Sequence, residues 1–392
     1  MYPSLFLIFF FISTALFLNS CGRFMLKDDG VEKKSIEELS GVSSVKTNLD
    51  GLKTEIFEIT QTVGSDGFLA GFFVVPEDGV SFLLSIFLGS NYNIKFYSLT
   101  DPDGTDVLSA SSTPNLYEAS SGNIGTAGYA NVLVPQSPSF SAKAGTWTFK
   151  AYTNDRVSIA LRTGSTPSAA TIAIQPYITG TTWSAGDISA ALSVMSSIYS
   201  ANGITLTIND TITISDTQYS AVSGTFIDST TSALVTQGST AAVNLFFIED
   251  YSGSWSGILG NAAGIPGSMG TANSWNGVLI SLAAHDVSGA MLDAQLLGET
   301  AAHEMGHQLG LFHTTESGGN QFDILSDTLE CQKSTQDNNG DRKVSAEECE
   351  SYGAENVMFW TSWSLSSRSA GKKQEVLCNH QQQVLKYSPL AK

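Results

Sequence analysis

The sequence predicts a multidomain protein in which an antiparallel β-sandwich precedes an α+β domain. Residues 51–165 contain seven or eight short segments rich in Phe, Val, Ile and Tyr, separated by turn-forming Gly, Pro, Asp and Ser, which is typical of a sandwich. Residues 170–392 instead combine apolar strand-like segments with segments of helical period. The small residues from Gly164 to Ala170 mark the boundary between these two units.

Composition limits the partners of the chain. Its 392 residues are enough for two or three domains, and its formal net charge is −18 although only 14% of its residues are charged. This acidic balance argues against nucleic acid or an anionic membrane surface as an electrostatic partner. It is typical of an extracellular protein that electrostatic repulsion keeps soluble.

The N-terminus predicts export. Residues 1–20 have the apolar run of a signal peptide, and the run ends in Leu18-Asn19-Ser20-Cys21, which resembles the cleavage box of bacterial lipoproteins. Cys21 would then carry the lipid, residues 21–50 would be a polar tether, and the protein would sit at the bacterial cell surface or outer membrane. Asn19 is unusual in such a box, and no Lys or Arg precedes the run, so a secretory signal or a short anchor is the alternative.

The strands of the first unit follow from runs of β-forming residues bounded by turns such as Asp101-Pro102-Asp103-Gly104. The predicted strands are Thr54–Thr62, Gly67–Val75, Val80–Phe87, Asn93–Ser98, Ala130–Val134, Trp147–Tyr152 and Val157–Arg162.

The second unit begins with a predicted strand, Thr171–Ile178, and a predicted helix, Ser184–Tyr199, whose apolar residues recur at helical spacing. Further strands are predicted at Ile204–Ile208, Val243–Glu249 and Val278–Ala283. The glycine-rich residues 257–267 have no phosphate-binding pattern. We interpret them as an edge-strand loop over a cleft, where an extended peptide binds by strand addition; a plain surface loop is the alternative.

Three of the five histidines of the chain lie within eleven residues and form the pattern H-E-x-x-H-x-x-G-x-x-H. The segment Met291–Leu309 has apolar residues at roughly helical spacing, and residues four apart on a helix lie on one face. His303 and His307 can therefore present two imidazoles to one metal ion. Gly310 then ends the helix, because glycine tolerates the positive φ of many helix exits, and His313 returns as a third ligand.

This donor set predicts a catalytic Zn²⁺ site. Three protein nitrogens leave one tetrahedral position open for water, whereas a structural zinc site normally has a fourth protein ligand. The metal lowers the pKa of that water to about 7 and polarises a carbonyl oxygen. Glu304 adjoins His303, where its carboxylate can take the water's proton and pass it to a leaving amine. The alternative is an amphipathic helix with surface histidines.

The zinc motif and a later methionine resemble the metzincin metallopeptidases, which place a tight methionine turn beneath the metal. Asn356-Val357-Met358-Phe359 follows His313 at a suitable distance, so the resemblance implies that Met358 is the floor of the site. Taken alone, Met358 would more often be an ordinary core residue.

Over roughly residues 170–390 the chain resembles the pappalysin-like branch, and more closely the secreted bacterial lipoproteins of that kind. This resemblance rests on the segments GLFHT, FDILSDTLEC and NVMFW and on the helix at Gln381–Leu385. Leu329 stands where that branch usually has proline, and Trp360 stands where some metzincins have a transition-state tyrosine. The resemblance implies a metzincin-like domain that cleaves peptide bonds, with its oxyanion stabiliser unidentified.

A second metal site is predicted between the zinc motif and Met358. A twelve-residue stretch has the ligand spacing of a calcium-binding loop, with side-chain oxygens at positions one, three, five, nine and twelve and a backbone carbonyl at position seven. The residues at these positions are Asp337, Asn339, Asp341, Ser345, Glu348 and, for the carbonyl, Lys343. Arg342 stands at position six, where such loops need glycine, so a solvated polar loop is the alternative to Ca²⁺.

Three cysteines remain after Cys21. Cys331 and Cys349 bracket the calcium-like loop, and in an oxidising compartment a disulfide between them is predicted. Pairing of either one with Cys378 is the alternative.

Two classes of function fit these features. The first is a zinc endopeptidase that acts on extracellular proteins or peptides. The second is a non-enzymatic adhesin-like lipoprotein in which the sandwich binds the partner and the zinc site is vestigial. The intact Glu304 favours the enzyme.

Overall fold

A computed structural model describes residues 45–49, 51–59, 68–87, 94–108, 119–120, 128–152, 157–289 and 291–392. The predicted signal peptide, Cys21 and residues 22–44 and 50 of the predicted tether lie outside these ranges. No helix within the described ranges has the length and apolar character needed to span a bilayer.

The first part of the described chain contains β-strands. They are β1 (Val45–Asn48), β2 (Thr54–Ile59), β3 (Leu69–Val75), β4 (Gly79–Phe87), β5 (Lys95–Thr100), β6 (Ala119–Ser120), β7 (Tyr129–Val134), β8 (Gly145–Tyr152) and β9 (Val157–Thr163). Seven of them overlap the seven predicted strands. The prediction of a polar tether up to residue 50 is wrong for residues 45–48, which form strand β1. A hydrogen bond from the Leu52 N–H to the Leu49 carbonyl helps to bring this strand back onto β2.

These strands form two antiparallel sheets, one with the order β1-β2-β9-β4-β7-β6 and one with the order β3-β8-β5. Along β4, Phe82, Leu84 and Ile86 join a core that also contains Trp147 from the smaller sheet. Leu83, between them, belongs to a different core. Because successive residues of a strand face opposite sides, the larger sheet is covered on both faces, which explains why β4 is a near-continuous apolar run.

The second part of the chain mixes strands and helices. They are β10 (Ala170–Thr179), α1 (Ala185–Ala201), β11 (Ile204–Ile208), β12 (Ile212–Ile214), β13 (Ala221–Val222), α2 (Ser229–Val235), β14 (Val243–Ile248), β15 (Asp250–Tyr251), β16 (Gly260–Ala262), β17 (Val278–Ser281), α3 (Ala294–Gln308), α4 (Lys333–Gln336), α5 (Leu365–Ser369) and α6 (Asn379–Lys386).

The main sheet of this part has the order β11-β10-β14-β17-β16, and β12 also pairs with β10. Its pairs are parallel except for the last, in which β16 runs antiparallel to β17. Strand β16 therefore forms an edge of the sheet, within the glycine-rich segment that we interpret as an edge-strand loop. Helices α1 and α3 pack against each other and share the core of the sheet, where the Tyr199 hydroxyl donates to the Ala302 carbonyl at 2.9 Å.

Helix α1 begins where the sequence predicts, because Ser184 and Asp187 form a capping pair and the predicted apolar residues Ile188, Leu192 and Met195 are buried. Helix α3 begins three residues later than the predicted apolar pattern, because the Asp293 carboxylate caps it by accepting a hydrogen bond from the Leu296 N–H at 3.0 Å.

One hydrophobic core crosses the predicted boundary at residues 165–170. Its members include Leu83, Leu133 and Ala160 from the larger antiparallel sheet together with Leu309 and Leu311 beside the histidine motif. Side chains from both parts thus bury one another, and the division into separate domains stays a prediction.

Candidate metal centre and catalytic cleft

Helix α3 carries His303, Glu304 and His307 and ends directly after them. The Gly310 N–H donates to the His307 carbonyl and the Leu311 N–H donates to the Gly306 carbonyl, both at 2.9 Å, which is the Schellman pattern of helix ends. Gly310 adopts φ 107°, a backbone conformation that residues with a Cβ atom rarely adopt. The chain therefore reverses at the predicted glycine and returns His313 to the helix.

The three imidazoles converge through their Nε2 atoms. The Nε2 of His313 lies 3.1 Å from that of His303 and 3.1 Å from that of His307. Tetrahedral zinc bonds of about 2.0–2.1 Å place two ligand nitrogens roughly 3.3–3.4 Å apart, so the spacing is close to that of a zinc site. Among the described residues, these three form the group of metal-binding side chains close enough to share one ion.

The opposite ring nitrogens settle the tautomers. The Nδ1 atom of His303 lies 2.7 Å from the Val357 carbonyl, and that of His307 lies 2.7 Å from the Leu311 carbonyl. The Nδ1 atom of His313 lies 3.0 Å from Glu316 Oε1. A carbonyl can only accept a hydrogen bond, so Nδ1 carries the proton in His303 and His307, and the Glu316 carboxylate favours the same tautomer in His313. All three Nε2 lone pairs then face one point, which is the arrangement that second-shell acceptors impose on zinc-binding histidines.

Burial keeps two of these imidazoles neutral. Burial, together with a smaller effect of the neighbouring histidines, lowers the pKa of His303 to about 3 and the pKa of His307 well below its usual value. A neutral imidazole has a free lone pair and is the form that binds metal, so the donor set fits Zn²⁺ at neutral pH.

Glu304 lies on the same helix with 6% of its surface exposed. Its Oε2 atom is buried and has no hydrogen-bond partner among the described residues. Burial raises the pKa of the carboxyl to about 8, while a hydrogen bond from the backbone of Ala262 on β16 lowers it. A dication at the three Nε2 atoms would favour the charged form, and Oε2 would then be free to accept a proton from water.

Met358 lies beneath the histidines and is fully buried. A Cβ atom on Gly306 would come within 2.4 Å of the Met358 sulfur, so only glycine at that helix position permits so close an approach. The carbonyl before it, from Val357, accepts from His303, and the Met358 carbonyl accepts from the Thr314 N–H at 3.0 Å. The turn therefore supports both the first and the third histidine.

A cleft opens in front of the histidines, between the edge strand β16, helix α3 and the residues that follow Met358. Its lining includes Leu259, Gly260, Leu296, Glu299, Thr300, His303, Glu304, His313, Phe359, Trp360 and Gln374. The Trp360 indole donates to the Val344 carbonyl at 2.7 Å, which fixes it in the cleft wall. Trp360 brings no hydroxyl to this position of the cleft wall.

The predicted calcium loop follows α4. Glu348 accepts from the backbone N–H groups of Asn338 and Ser345 at 2.9 Å each, and Asp337 accepts from the Gly340 N–H at 2.8 Å. Arg342, at the glycine position, adopts the left-handed conformation with φ 71° that the loop requires there. A disulfide joins Cys331 to Cys349 at the base of this loop, and Cys378 is free.

Sequence reasoning missed several contributors to the site. Glu316 lies three residues after His313 and could have been suspected from that spacing. Gly306 and the backbone N–H of Ala262 have no sequence signal, because their roles depend on the approach of distant residues. His285 is also buried, with its Nε2 atom 2.9 Å from the Thr300 hydroxyl on α3.

Comparisons with known proteins point to peptidases. Residues 185–314 match the metallo-peptidase family M12B, reprolysin-like. The chain is 39% identical over 93 residues to extracellular metalloprotease 1 of Coccidioides posadasii and 32% identical over 157 residues to an extracellular metalloprotease of Pyricularia oryzae. These matches cover 24% and 38% of this chain, and 32% and 52% of the relatives' own length.

Two solved structures are similar at 14% sequence identity. Archaemetzincin from Archaeoglobus fulgidus gives a TM-score of 0.29 over 54% of this chain and 99% of its own. Metalloproteinase-II from Bacteroides fragilis gives a TM-score of 0.26 over 44% of this chain and 56% of its own.

Proposed function

We propose that the chain is a zinc-dependent endopeptidase of the metzincin type, in its pappalysin-like branch, that acts on extracellular proteins or peptides. The observation that carries the proposal is the convergence of three Nε2 atoms, each on an imidazole with its proton held on Nδ1. Beside them lies the Oε2 atom of Glu304, for which the described part of the chain offers no hydrogen-bond partner. The match of residues 185–314 to a metallopeptidase family supports it.

His303, His307 and His313 would hold the metal, and Glu304 would move the proton. When bound, Zn²⁺ supplies Lewis-acid chemistry to a peptide carbonyl and to a water molecule. Glu304 Oε2 accepts the proton of the attacking water and donates it to the leaving amine nitrogen. Burial of Glu304 excludes competing solvent and holds the carboxyl in one orientation.

Substrate would bind along β16. Among the strands of the described residues, this edge strand pairs with β17 alone, and it lines the cleft with Gly260. Apart from the Ala262 N–H, which bonds to Glu304, the backbone groups on its other edge can pair with an extended peptide, and such pairing does not depend on the substrate's side chains. Such pairing would lay the scissile bond across the histidines.

Calcium binding at Asp337, Asn339, Asp341, Lys343, Ser345 and Glu348 is also proposed. The left-handed Arg342 supports it, since this residue adopts the backbone conformation of the missing glycine. The bound ion would stiffen the segment that joins His313 to Met358.

We further propose an exported lipoprotein in which Cys21 carries the lipid and residues 51–165 form an accessory β-sandwich before the peptidase domain of residues 170–392. Two antiparallel sheets with a shared core support the sandwich. Incorporation of labelled fatty acid by the wild type and not by Cys21→Ala tests the anchor. If the wild type incorporates no labelled fatty acid, Cys21 is not lipidated and the alternative is a secreted protein.

The activity is tested with a denatured protein substrate, with and without a zinc chelator. Cleavage that the chelator abolishes and added Zn²⁺ restores supports the enzyme. Bound zinc without cleavage of any member of a broad peptide library would favour the adhesin-like alternative.

A further inference from the structure

Strand β7 of the larger antiparallel sheet contacts the turn that separates two of the three histidines. A Cβ atom on Gly310 would lie 2.7 Å from Cδ2 of Leu133, so the leucine packs directly onto the glycine backbone. Just beyond the strand, Gln136 Nε2 donates to the Gly310 carbonyl at 3.4 Å. The exit of the zinc helix is therefore covered by a part of the chain more than a hundred residues away in sequence.

A second set of contacts fixes the same turn through residues 266–268. Asn131, two residues before Leu133 on the same face of β7, donates from Nδ2 to the Pro266 carbonyl at 2.9 Å. The next residue, Gly267, donates from its N–H to the Gln308 carbonyl at 3.0 Å. The Gln308 side chain in turn donates to the Ser268 carbonyl at 2.8 Å. A chain of buried hydrogen bonds thus joins β7 to the last residue of α3.

Apolar packing continues this connection to the metal centre. Leu133 belongs to the same hydrophobic cluster as Leu309 and Leu311, which flank Gly310, and as Met358 beneath the histidines. Leu311 also supplies the carbonyl that holds the His307 tautomer. Displacement of Leu311 would therefore disturb both the orientation of His307 and the return of His313.

We propose that Leu133 is a positioning residue for the metal centre, and that the larger antiparallel sheet holds the turn between His307 and His313 in its metal-binding geometry. The sheet is then a structural part of the zinc site and not a detachable neighbour. This inference rests on the proposed zinc site but not on peptide hydrolysis. A wild type that binds no zinc would reject the proposed function, whereas the comparison of variants below tests this inference alone.

The test compares Leu133→Ala with Leu84→Ala. Leu84 lies on the adjacent strand β4 and is equally buried, but it faces the core between the two antiparallel sheets. Both variants lose the same atoms from one sheet, and only the first leaves a cavity beside Gly310. The measurements are the Zn²⁺ dissociation constant, by competition with a chromophoric chelator, and the visible spectrum of the Co²⁺-substituted protein.

We expect Leu133→Ala to weaken zinc binding by about 10-fold or more, as loss of outer-shell support does in other zinc sites, and to alter the Co²⁺ spectrum. Leu84→Ala should melt at a lower temperature with zinc affinity within about twofold of wild type, and Leu133→Met, which restores the volume, should recover wild-type affinity. Equal zinc affinities in Leu133→Ala and wild type would overturn the inference, as would equal losses in the two alanine variants.

A measurement on the wild type decides the matter if Leu133→Ala does not fold. Coupling between two sites is reciprocal, so zinc should slow hydrogen exchange of the amides of β7 if β7 supports zinc binding. Strand β3, which belongs to the smaller sheet, serves as the control and should change less. Equal effects of zinc on β7 and β3, or no effect on either, would contradict the proposal.

Discussion

At the scale of single residues, the site is determined by where each imidazole carries its proton. Two backbone carbonyls and one carboxylate accept from the Nδ1 atoms, so the three Nε2 atoms carry lone pairs and no hydrogen. The Nε2 atom of His313 lies 3.1 Å from each of the other two. Lone pairs at this distance repel one another unless a cation lies between them. The metal is therefore expected to contribute to the stability of the site as well as to its chemistry.

Removal of one ligand tests this arrangement. His313→Ala should lower zinc affinity by more than about 100-fold, beyond the range of second-shell substitutions, because two imidazoles remain. His380→Ala is the matched control, since His380 lies on α6 and pairs with Asp327 instead of joining the metal group. Zinc content by mass spectrometry after dialysis reports the result. Equal zinc retention by both variants would show that His313 is not a ligand.

Glu299, which lines the cleft one turn before His303, gives a prediction for pH. Burial and, to a smaller extent, the nearby Glu375 raise its pKa to about 7, although hydrogen bonds from Gln295 and Gln374 act in the opposite direction. The folded protein therefore holds this proton more tightly than the unfolded chain does. The stability that this group contributes is full below its ordinary pKa and is lost as pH rises through about 7.

The amide of Glu299→Gln cannot ionise, so this variant lacks the pH dependence that the carboxyl contributes. Between pH 4 and pH 8, we therefore expect the unfolding free energy of wild type to fall by roughly 1–3 kcal/mol more than that of Glu299→Gln. Urea unfolding at several pH values, with zinc held constant, measures the difference. A difference that does not change with pH would show that the carboxyl is not protonated in the folded state.

At the scale of elements, the sequence predicted the features that depend on local patterns but not those that depend on tertiary packing. The sequence predicted most strands of the first part, the helix that starts after Ser184 and the end of the zinc-motif helix at Gly310. It could do so because β-propensity, helix capping and glycine conformation act over a few residues. Strand β1 was missed because four residues of weak pattern become a strand only by pairing with β2. The bond between Glu316 and His313 and the fit of Gly306 to Met358 depend on tertiary approach, which no local pattern contains.

The loop from Asp337 to Glu348 is the element whose behaviour with calcium is most open to test. If it binds Ca²⁺, millimolar calcium should raise the melting temperature by mass action, and Glu348→Ala should remove most of that response, since it deletes the bidentate ligand. Melting and peptidase rate are measured against free calcium at constant zinc. Glu330→Ala, an exposed glutamate outside the loop, should keep the wild-type response.

A wild type whose melting does not respond to calcium would identify the loop as a polar insert. In that case the backbone hydrogen bonds to Asp337 and Glu348 hold its shape without an ion, and the disulfide between Cys331 and Cys349 closes its ends.

At the scale of the whole molecule, the two parts of the chain share one core. The sequence predicted where the strands of the first part lie, but not that their sheet would be covered on both faces. Consecutive residues of β4, Leu83 and Leu84, belong to different cores although both are leucine. Which leucine faces which partner depends on the docking of the sheet against the second part, and a boundary drawn from composition cannot show it.

The most direct measurement follows zinc content and peptide cleavage in the same preparations of wild type and Glu304→Gln. The amide keeps the shape of the side chain but cannot accept the water's proton, so zinc content should equal that of wild type while the turnover number falls by a factor of about 10² or more. A Glu304→Gln protein that retains zinc and cleaves peptides at the wild-type rate would contradict the assignment of Glu304 as the base and with it the proposed peptidase mechanism.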